Sequence, residues 1–314
     1  MSGKELKGKI TLKARALGFD LVGFAGACVP EPESGRLGSW LERGYQGSMG
    51  WIARNADRRS DPALVLPGVK TIVSVGINYY TSARHQHIPG TGKVSRYAWG
   101  DDYHDVIAAR LDALLAWMRE HSTQRFDARA YVDTGPVQER VYARHSGIGW
   151  IGKNTCVINP EVGSWIFLAE IICSLPLEVD EPALDQCGTC ALCIEACPTR
   201  ALVEPGVLDS TRCISYLTIE QRGPIPDELT TAVGLHVYGC DVCQEVCPWN
   251  QMAPSSGDPA WQRRPAWTRA SVSALARLDD AELRNAMRGS SMRRTKVTGL
   301  RRNLRVALEN AKRL

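Results

Sequence analysis

Hydrophobic positions recur along this chain with two alternating periods. Leu6, Ile10, Ala14 and Leu17 fall at helical spacing, so residues 4–17 predict an amphipathic helix. Asp20–Ala25 reads as a short strand. Lys70–Asn78 (KTIVSVGIN) is a stronger one, short and rich in β-branched residues. Asp102–His121 predicts a long helix with Val106, Ala109, Ala113 and Trp117 near one face. Ile107, Leu111, Leu114, Leu115 and Met118 widen that stripe. Ala128–Val132 predicts a strand that ends at the turn Asp133-Thr134-Gly135-Pro136. Gln138–His145 predicts a helix, and Ser164–Cys173 (SWIFLAEIIC) a buried strand. This alternation predicts a layered domain of the α/β or α+β class over residues 1–182.

Beyond residue 182 the periodicity stops. Residues 183–252 predict loops with short helices between cysteines, and Pro254–Pro265 reads as a linker. The last segment, 253–314, turns helical. Leu300, Leu304, Ala307, Leu308 and Ala311 share one face, and Arg294, Arg301, Arg305 and Lys312 an adjacent stripe.

Charge sharpens the picture at this end. The net charge is +4, but residues 281–314 hold ten Lys/Arg against two acids, an excess of eight that leaves the rest of the chain at −4. A basic region on an acidic body predicts a polyanionic partner, and nucleic acid is the usual one. No apolar run approaches the roughly 18 residues that span a bilayer. The start, MSGKELKGKITLKARALG, is polar, so a cytoplasmic location with no membrane association is expected. His85-x-His87 lies in a polar stretch and reads as solvated loop.

The cysteines carry the strongest chemical signal. One run is Cys187-x2-Cys190-x2-Cys193-x3-Cys197-Pro198; the other is Cys213, then Cys240-x2-Cys243-x3-Cys247-Pro248. A C-x2-C-x2-C loop supplies three converging thiolates to a cubane. The fourth cysteine, followed by Pro, serves the neighbouring cluster. The spacing therefore predicts two [4Fe–4S] clusters with crossed ligation. One takes Cys187, Cys190, Cys193 and Cys247; the other takes Cys197, Cys213, Cys240 and Cys243. Zinc knuckles would not need the third cysteine and the C-x3-C-P tail. Disulfides would suit a secreted chain. Cys28, Cys156 and Cys173 stand alone and read as small buried hydrophobes.

Clusters move electrons and need a second centre to use them. No GxGxxG and no Walker loop supports NAD or ATP. D-x-H-x-x-G, which supplies an axial histidine to cobalamin, begins at Asp102-Tyr103-His104 but meets Ile107 at its Gly position. Asp133, at a strand end before a Gly-Pro turn, is the carboxylate to watch. From spacing alone an Asx-type turn residue is the simpler reading.

Longer strings now carry a family likeness. They are Met49–Asn55 (MGWIARN), Ser95–His104 (SRYAWGDDYH), Tyr131–Pro136 (YVDTGP), Gly149–Asn154 (GWIGKN), Arg212–Glu220 (RCISYLTIE) and Tyr238–Asn250 (YGCDVCQEVCPWN). Together with the cysteine runs, they make the chain resemble the epoxyqueuosine reductases over nearly its whole length. The resemblance implies a nitroreductase-like cobalamin-binding domain, a ferredoxin-like two-cluster domain and a helical basic tRNA-binding region. It implies cobalamin bound without a protein histidine. The reaction would reduce epoxyqueuosine to queuosine at the tRNA wobble position, with Asp133 as proton donor. Burial against cofactor and base would raise the Asp133 pKa so that it is neutral. Arg58, Arg96, Ser215 and Asp241 are the implied cobalamin contacts. Lys153, Asn154 and Arg222 are candidate substrate or tRNA contacts, joined by the tail residues Arg293, Arg294, Lys296, Arg301 and Arg302. A monomer fed by an external electron donor is expected. The runner-up readings are a reductive dehalogenase-like cobalamin enzyme for a small molecule, a ferredoxin-fused flavin reductase and a ferredoxin-type electron carrier.

Overall fold

The structure is a computed structural model that describes residues 3–28, 33–83, 88–267 and 271–313. His85 and His87 lie outside the described residues. Helix α1 (Gly3–Ala16) buries Leu6, Ile10 and Ala14, as its spacing predicts. Four strands form the main sheet: β1 (Leu21–Gly26), β2 (Thr71–Asn78), β3 (Ala128–Tyr131) and β4 (Ile166–Cys173). Their order is β1-β2-β4-β3. Every pair is antiparallel, with Leu21 opposite Gly76, Thr71 opposite Cys173 and Ala128 opposite Cys173. Of the two classes left open by the sequence, the sheet is thus α+β.

Both faces of the sheet are covered, and all eight residues of β2 are buried. That is why KTIVSVGIN reads as a continuous apolar run rather than an alternating one. On one face Val73, Val75, Ile77, Ala169 and Ile171 pack against α1 and α2 (Tyr103–His121). The buried stripe of α2 is Ile107, Leu111, Leu114, Leu115 and Met118, while Ala109 and Ala113 are exposed. The larger side chains remove more apolar area from water, so their face turns inward. On the other face Ala25, Ile72 and Ile172 meet Val141 and Tyr142 of α3 (Glu139–His145).

The later segments are not loosely attached. His236–Tyr238 pairs in parallel with Lys93–Val94. One hydrophobic cluster combines Val94 and Trp99, then Val237 and Tyr238, then Leu300, Leu304 and Ala307 of the last helix, α5 (Lys296–Ala311). Helix α4 (Ile214–Ile219) begins directly after Cys213. The Pro254–Pro265 stretch, expected as a linker, is packed down. Ser256 donates its N–H to the Tyr80 carbonyl at 2.7 Å, Asp258 pairs with Arg110, and Trp261 is 2% exposed in the main core. An indole buried on the sheet domain outweighs the local turn chemistry of prolines and glycines. Among the described residues no helix is long and apolar enough to cross a membrane.

Candidate active site

The eight cysteines gather into two sets. Cys187, Cys190, Cys193 and Cys247 line one small cavity, together with Lys153, Asn154 and Leu192. Cys197, Cys213, Cys240 and Cys243 lie close enough to feel one another's charge. Burial, and then the neighbouring thiols, pushes Cys213 and Cys240 up from their ordinary range. Cys243 is raised first by its contact with Cys156, then by burial and by Cys240 and Cys213. Closely packed thiols of this kind give up their protons when a metal takes them. Cys156, expected as inert packing, therefore touches a predicted ligand, and its own thiol is lowered to about 7 by the hydrogen bond with Cys243. Of the other two lone cysteines, Cys173 is buried and Cys28 is exposed.

A far larger cavity, about 760 Å3, lies beside the second set. Its wall includes Cys213, Ser215, Asp133, His104, Arg58 and Arg294. Trp51, Tyr97, Tyr103, Tyr216 and Tyr238 supply flat aromatic walls. This volume sits in the upper part of the roughly 300–1,000 Å3 range of small-molecule sites.

Asp133 is placed there by strain and by glycine. Its φ is +57°, a left-handed conformation that Asp tolerates better than most residues. A Cβ on Gly135 would collide with the Tyr131 ring, so only glycine closes this turn. The Asp133 N–H donates to Glu139 Oε1 at 2.6 Å. Its carboxyl opens onto the cavity, 58% accessible from that side. Tyr103 donates its hydroxyl to Asp133 Oδ2 at 2.8 Å, and His104 Nε2 lies 3.4 Å from the same oxygen. His104 Nδ1 contacts Asp102 Oδ1 at 2.7 Å.

The protonation pattern follows from these contacts. Burial lowers the His104 pKa, but hydrogen bonds to Asp102 and Asp133 outweigh it and push it up to about 9. Burial raises Asp133, but hydrogen bonds from His104 and Tyr103 hold its carboxyl below the usual range. The expected raised pKa of Asp133 is therefore not found. The proton rests on His104, one contact away. Both imidazole nitrogens face carboxylates, so neither lone pair is free for a metal. The tripeptide Asp102-Tyr103-His104, which fails as a cobalt-ligand motif, instead builds the acid site. Sequence reading missed Tyr103, His104 and Glu139 because three separate segments must meet to assemble them.

Several expected contacts have other positions. Arg58 and Ser215 line the large cavity. Arg96 and Asp241 do not, being 7% and 3% exposed. Asp241 accepts the Ser95 hydroxyl and the Arg96 N–H, and the Arg96 guanidinium reaches the Thr81 and Ala83 carbonyls. They tie the second cysteine loop to the sheet domain, because a buried carboxylate and guanidinium require such partners. Lys153 donates to the Gly188 and Cys190 carbonyls at 2.7 and 2.9 Å, and Asn154 to the Cys243 carbonyl at 3.3 Å. Each pins a cysteine loop. Arg301 pairs with Asp280. Arg302 donates to the carbonyls of Leu217, Gln221 and Gly223. These two arginines close helix and loop ends, whose orphan carbonyls attract guanidinium donors. Arg222 donates to the Arg294 carbonyl at 3.1 Å yet remains half exposed. Arg294 lines the cavity and pairs with Glu220 through two hydrogen bonds of 2.8 and 3.0 Å, and its sequence neighbours Arg293 and Lys296 are exposed.

Comparison with known proteins agrees with this geometry. The family described as "Epoxyqueuosine reductase QueG, DUF1730" matches residues 59–134, and "4Fe-4S double cluster binding domain" matches residues 186–250. The chain is 46% identical to an epoxyqueuosine reductase of Gloeobacter violaceus, over 96% of this chain and 95% of that protein. It is 41% identical to that of Vibrio cholerae, over 99% and 85%. Among solved structures, an epoxyqueuosine reductase with an epoxyqueuosine-modified tRNA-Tyr stem loop superposes with a TM-score of 0.90 at 32% identity. That match covers 98% of this chain and 82% of the other. The chain belongs to the epoxyqueuosine reductase family.

Proposed function

We propose that this chain reduces epoxyqueuosine to queuosine in tRNA, with electrons passed through two [4Fe–4S] clusters to a cobalamin in the large cavity. One observation carries the reading: a single cavity joins Cys213, of the second cysteine set, to the acid site at Asp133. The aromatic walls of this cavity suit the flat face of a macrocycle, and His104 has no free nitrogen to ligate cobalt. Arg58, Ser215, Tyr97 and Tyr216 are the residues that would hold it. Bound there, cobalamin would supply a strongly reducing metal centre.

The protein's part is proton management and exclusion of water. Opening the epoxide and losing its oxygen as water consumes two electrons and two protons. Asp133 is the group that would protonate the departing oxygen. His104 and Tyr103 hold its carboxyl in place, and the His104 proton can cross to it as the substrate oxygen gains charge. Closing the cavity with cofactor and base would deepen the burial of Asp133 and favour its neutral form. The modified base must leave the anticodon stack to enter. Arg294 of the cavity wall and the neighbouring Arg293, Lys296 and Arg222 would meet the surrounding phosphates. Cys213 lines the cavity, which supports the second cluster as the immediate donor and the first as its feed.

The decisive experiment is anaerobic reconstitution with iron, sulfide and cobalamin, followed by incubation with epoxyqueuosine tRNA and a strong reductant. Mass spectrometry of the nucleosides should show queuosine. Recovery of epoxyqueuosine alone would overturn the proposal.

A further inference from the structure

Within the sheet, in electrostatic reach of Asp133, lies a second acidic group that the reaction outlined above leaves unused. Glu170 sits at the centre of β4, opposite Ser74 of β2 and Tyr131 of β3. It is 0% exposed, in a strand whose other buried residues are apolar. Among the described residues no N–H or O–H donor reaches either of its carboxyl oxygens, and the Ser74 hydroxyl has no partner either. A buried carboxylate without a donor costs several kcal/mol, so Glu170 holds its proton. The polar group that meets it is another carboxyl, that of Glu139 in the first turn of α3. Two carboxyls hydrogen-bond only when a proton lies between them. Glu139 in turn accepts the Asp133 N–H at 2.6 Å. The Glu139 carboxyl thus lies between the sheet interior and the Asp133 backbone, within electrostatic reach of the Asp133 carboxylate.

We propose that Glu170 and Glu139 form a buried proton store that recharges Asp133 during turnover. The proposal rests on the reaction given above, which needs two protons while cofactor and base close the cavity. In the first transfer the His104 Nε2–H breaks, and its proton passes through the Asp133 carboxyl to the substrate alkoxide. In the second the Glu139 O–H breaks and the Asp133 carboxylate gains the proton. The Glu170 proton is then shared across the pair, which keeps one negative charge until solvent returns. The surroundings suit this traffic. Glu139 faces Asp133, Arg140 of its own helix, Arg59 from the short helix Ala56–Ser60 and Tyr103 of α2. Glu170 faces Glu139, Asp133 and the Tyr142 ring. Arg140 turns its guanidinium to the Thr155 carbonyl and Arg59 to that of Val137, so neither neutralises the pair directly. Burial, then the Asp133 charge, pushes Glu139 up to about 8, while burial keeps Glu170 well above the carboxylate range. Glu139 is thus the member that releases a proton near neutrality.

The test begins on the chain without cofactors. Infrared spectra at pH 7 should contain a protonated-carboxyl stretch that shifts in heavy water. Glu139→Gln should remove the part that titrates near pH 8, and Glu170→Gln the part that does not. The absence of this stretch from the unmodified protein would overturn the store without any variant having to fold. In the reconstituted enzyme, Glu139→Gln should lower kcat about 10-fold or more with KM for tRNA unchanged. It should also abolish the fall in rate as pH rises through about 8. An unaltered kcat and pH profile would overturn the transfer to Asp133. Wild-type protein that converts no epoxyqueuosine would instead overturn the reaction, and the transfer with it, while the infrared stretch stays in place.

Discussion

In the cysteine segment, each reactive group is set by its own stretch of chain. Cys187, Cys190 and Cys193 share one loop, and Cys240 and Cys243 another. Backbone turns aim them, and Lys153 and Asn154 clamp the loops from outside. In the acid site nothing is local. Asp133 follows β3, His104 opens α2, Glu139 opens α3 and Glu170 lies within β4. Only the packed sheet brings them together. Loop-borne ligands can wait for their metal to complete the site, whereas sheet-borne acids need the core to be complete first. The two regions should therefore fail separately.

The largest effect tests that separation. Cys240→Ser should lose the second cluster, leave about four of about eight irons per chain, and abolish turnover. If the acid site is held by the sheet, the His104 imidazole should still titrate near 9 by NMR in this variant. A His104 titration that collapses with the cluster would mean that the two regions are one unit. Asp133→Asn is the reverse case. Iron content should remain full while turnover falls by about 10²–10⁴-fold. The His104 pKa should fall from about 9 toward its ordinary value, because one of its two anionic partners is gone.

A smaller pair of effects separates the two kinds of arginine. Arg302→Ala removes donors from three carbonyls and should cost about 1–3 kcal/mol in denaturant unfolding. Combined replacement of Arg293, Arg294 and Lys296 should leave stability within roughly 0.5–1 kcal/mol. It should weaken tRNA binding and make the salt-dependence slope shallower by about one for each phosphate that the variant no longer neutralises. The opposite assignment would place the nucleic acid on the exposed face of α5 instead of beside Arg294 and the cavity.

The same contrast explains what could be read from the sequence. The cysteine sets were legible because ligand spacing is a local property of the chain. The four strands of the main sheet and the helices α1, α2 and α3 were legible from period, with ends displaced by one or two residues, whereas the helices Glu33–Glu42, Gly50–Arg54 and Ala56–Ser60 were not. The antiparallel order was not, because period says nothing of direction. Arg96, Asp241, Lys153 and Asn154 were picked as ligand contacts because they stand in the family-like strings. In the structure they also lock those strings to neighbouring segments, and a residue string does not distinguish a clamp from a contact. Glu170 left one signal, a lone acid inside SWIFLAEIIC. An ionisable residue in an otherwise apolar strand implies a protonated carboxyl or a paired one, and its partner is 31 positions away at Glu139.

The smallest expected effect concerns stability and pH. Glu139 has its folded pKa raised to about 8, above its ordinary value of 4.5. The folded state then binds the extra proton between those values, so this group's stabilisation is complete below about 4.5 and is lost as pH rises through about 8. His104 acts in the same direction over a higher window, from 6.5 to about 9. A melting curve of the unmodified protein therefore mixes the two. Glu170→Gln separates them. The amide can donate to an ionised Glu139, which lowers the Glu139 pKa and shrinks its pH-dependent share while His104 is unchanged. Between pH 5 and 9 the unmodified protein should lose about 2–4 °C more in Tm than the variant does. The divergence should be largely established by pH 8, before His104 has finished titrating. Parallel curves would mean that Glu139 titrates without its neighbour, and the two acids would then be independent residues of the core.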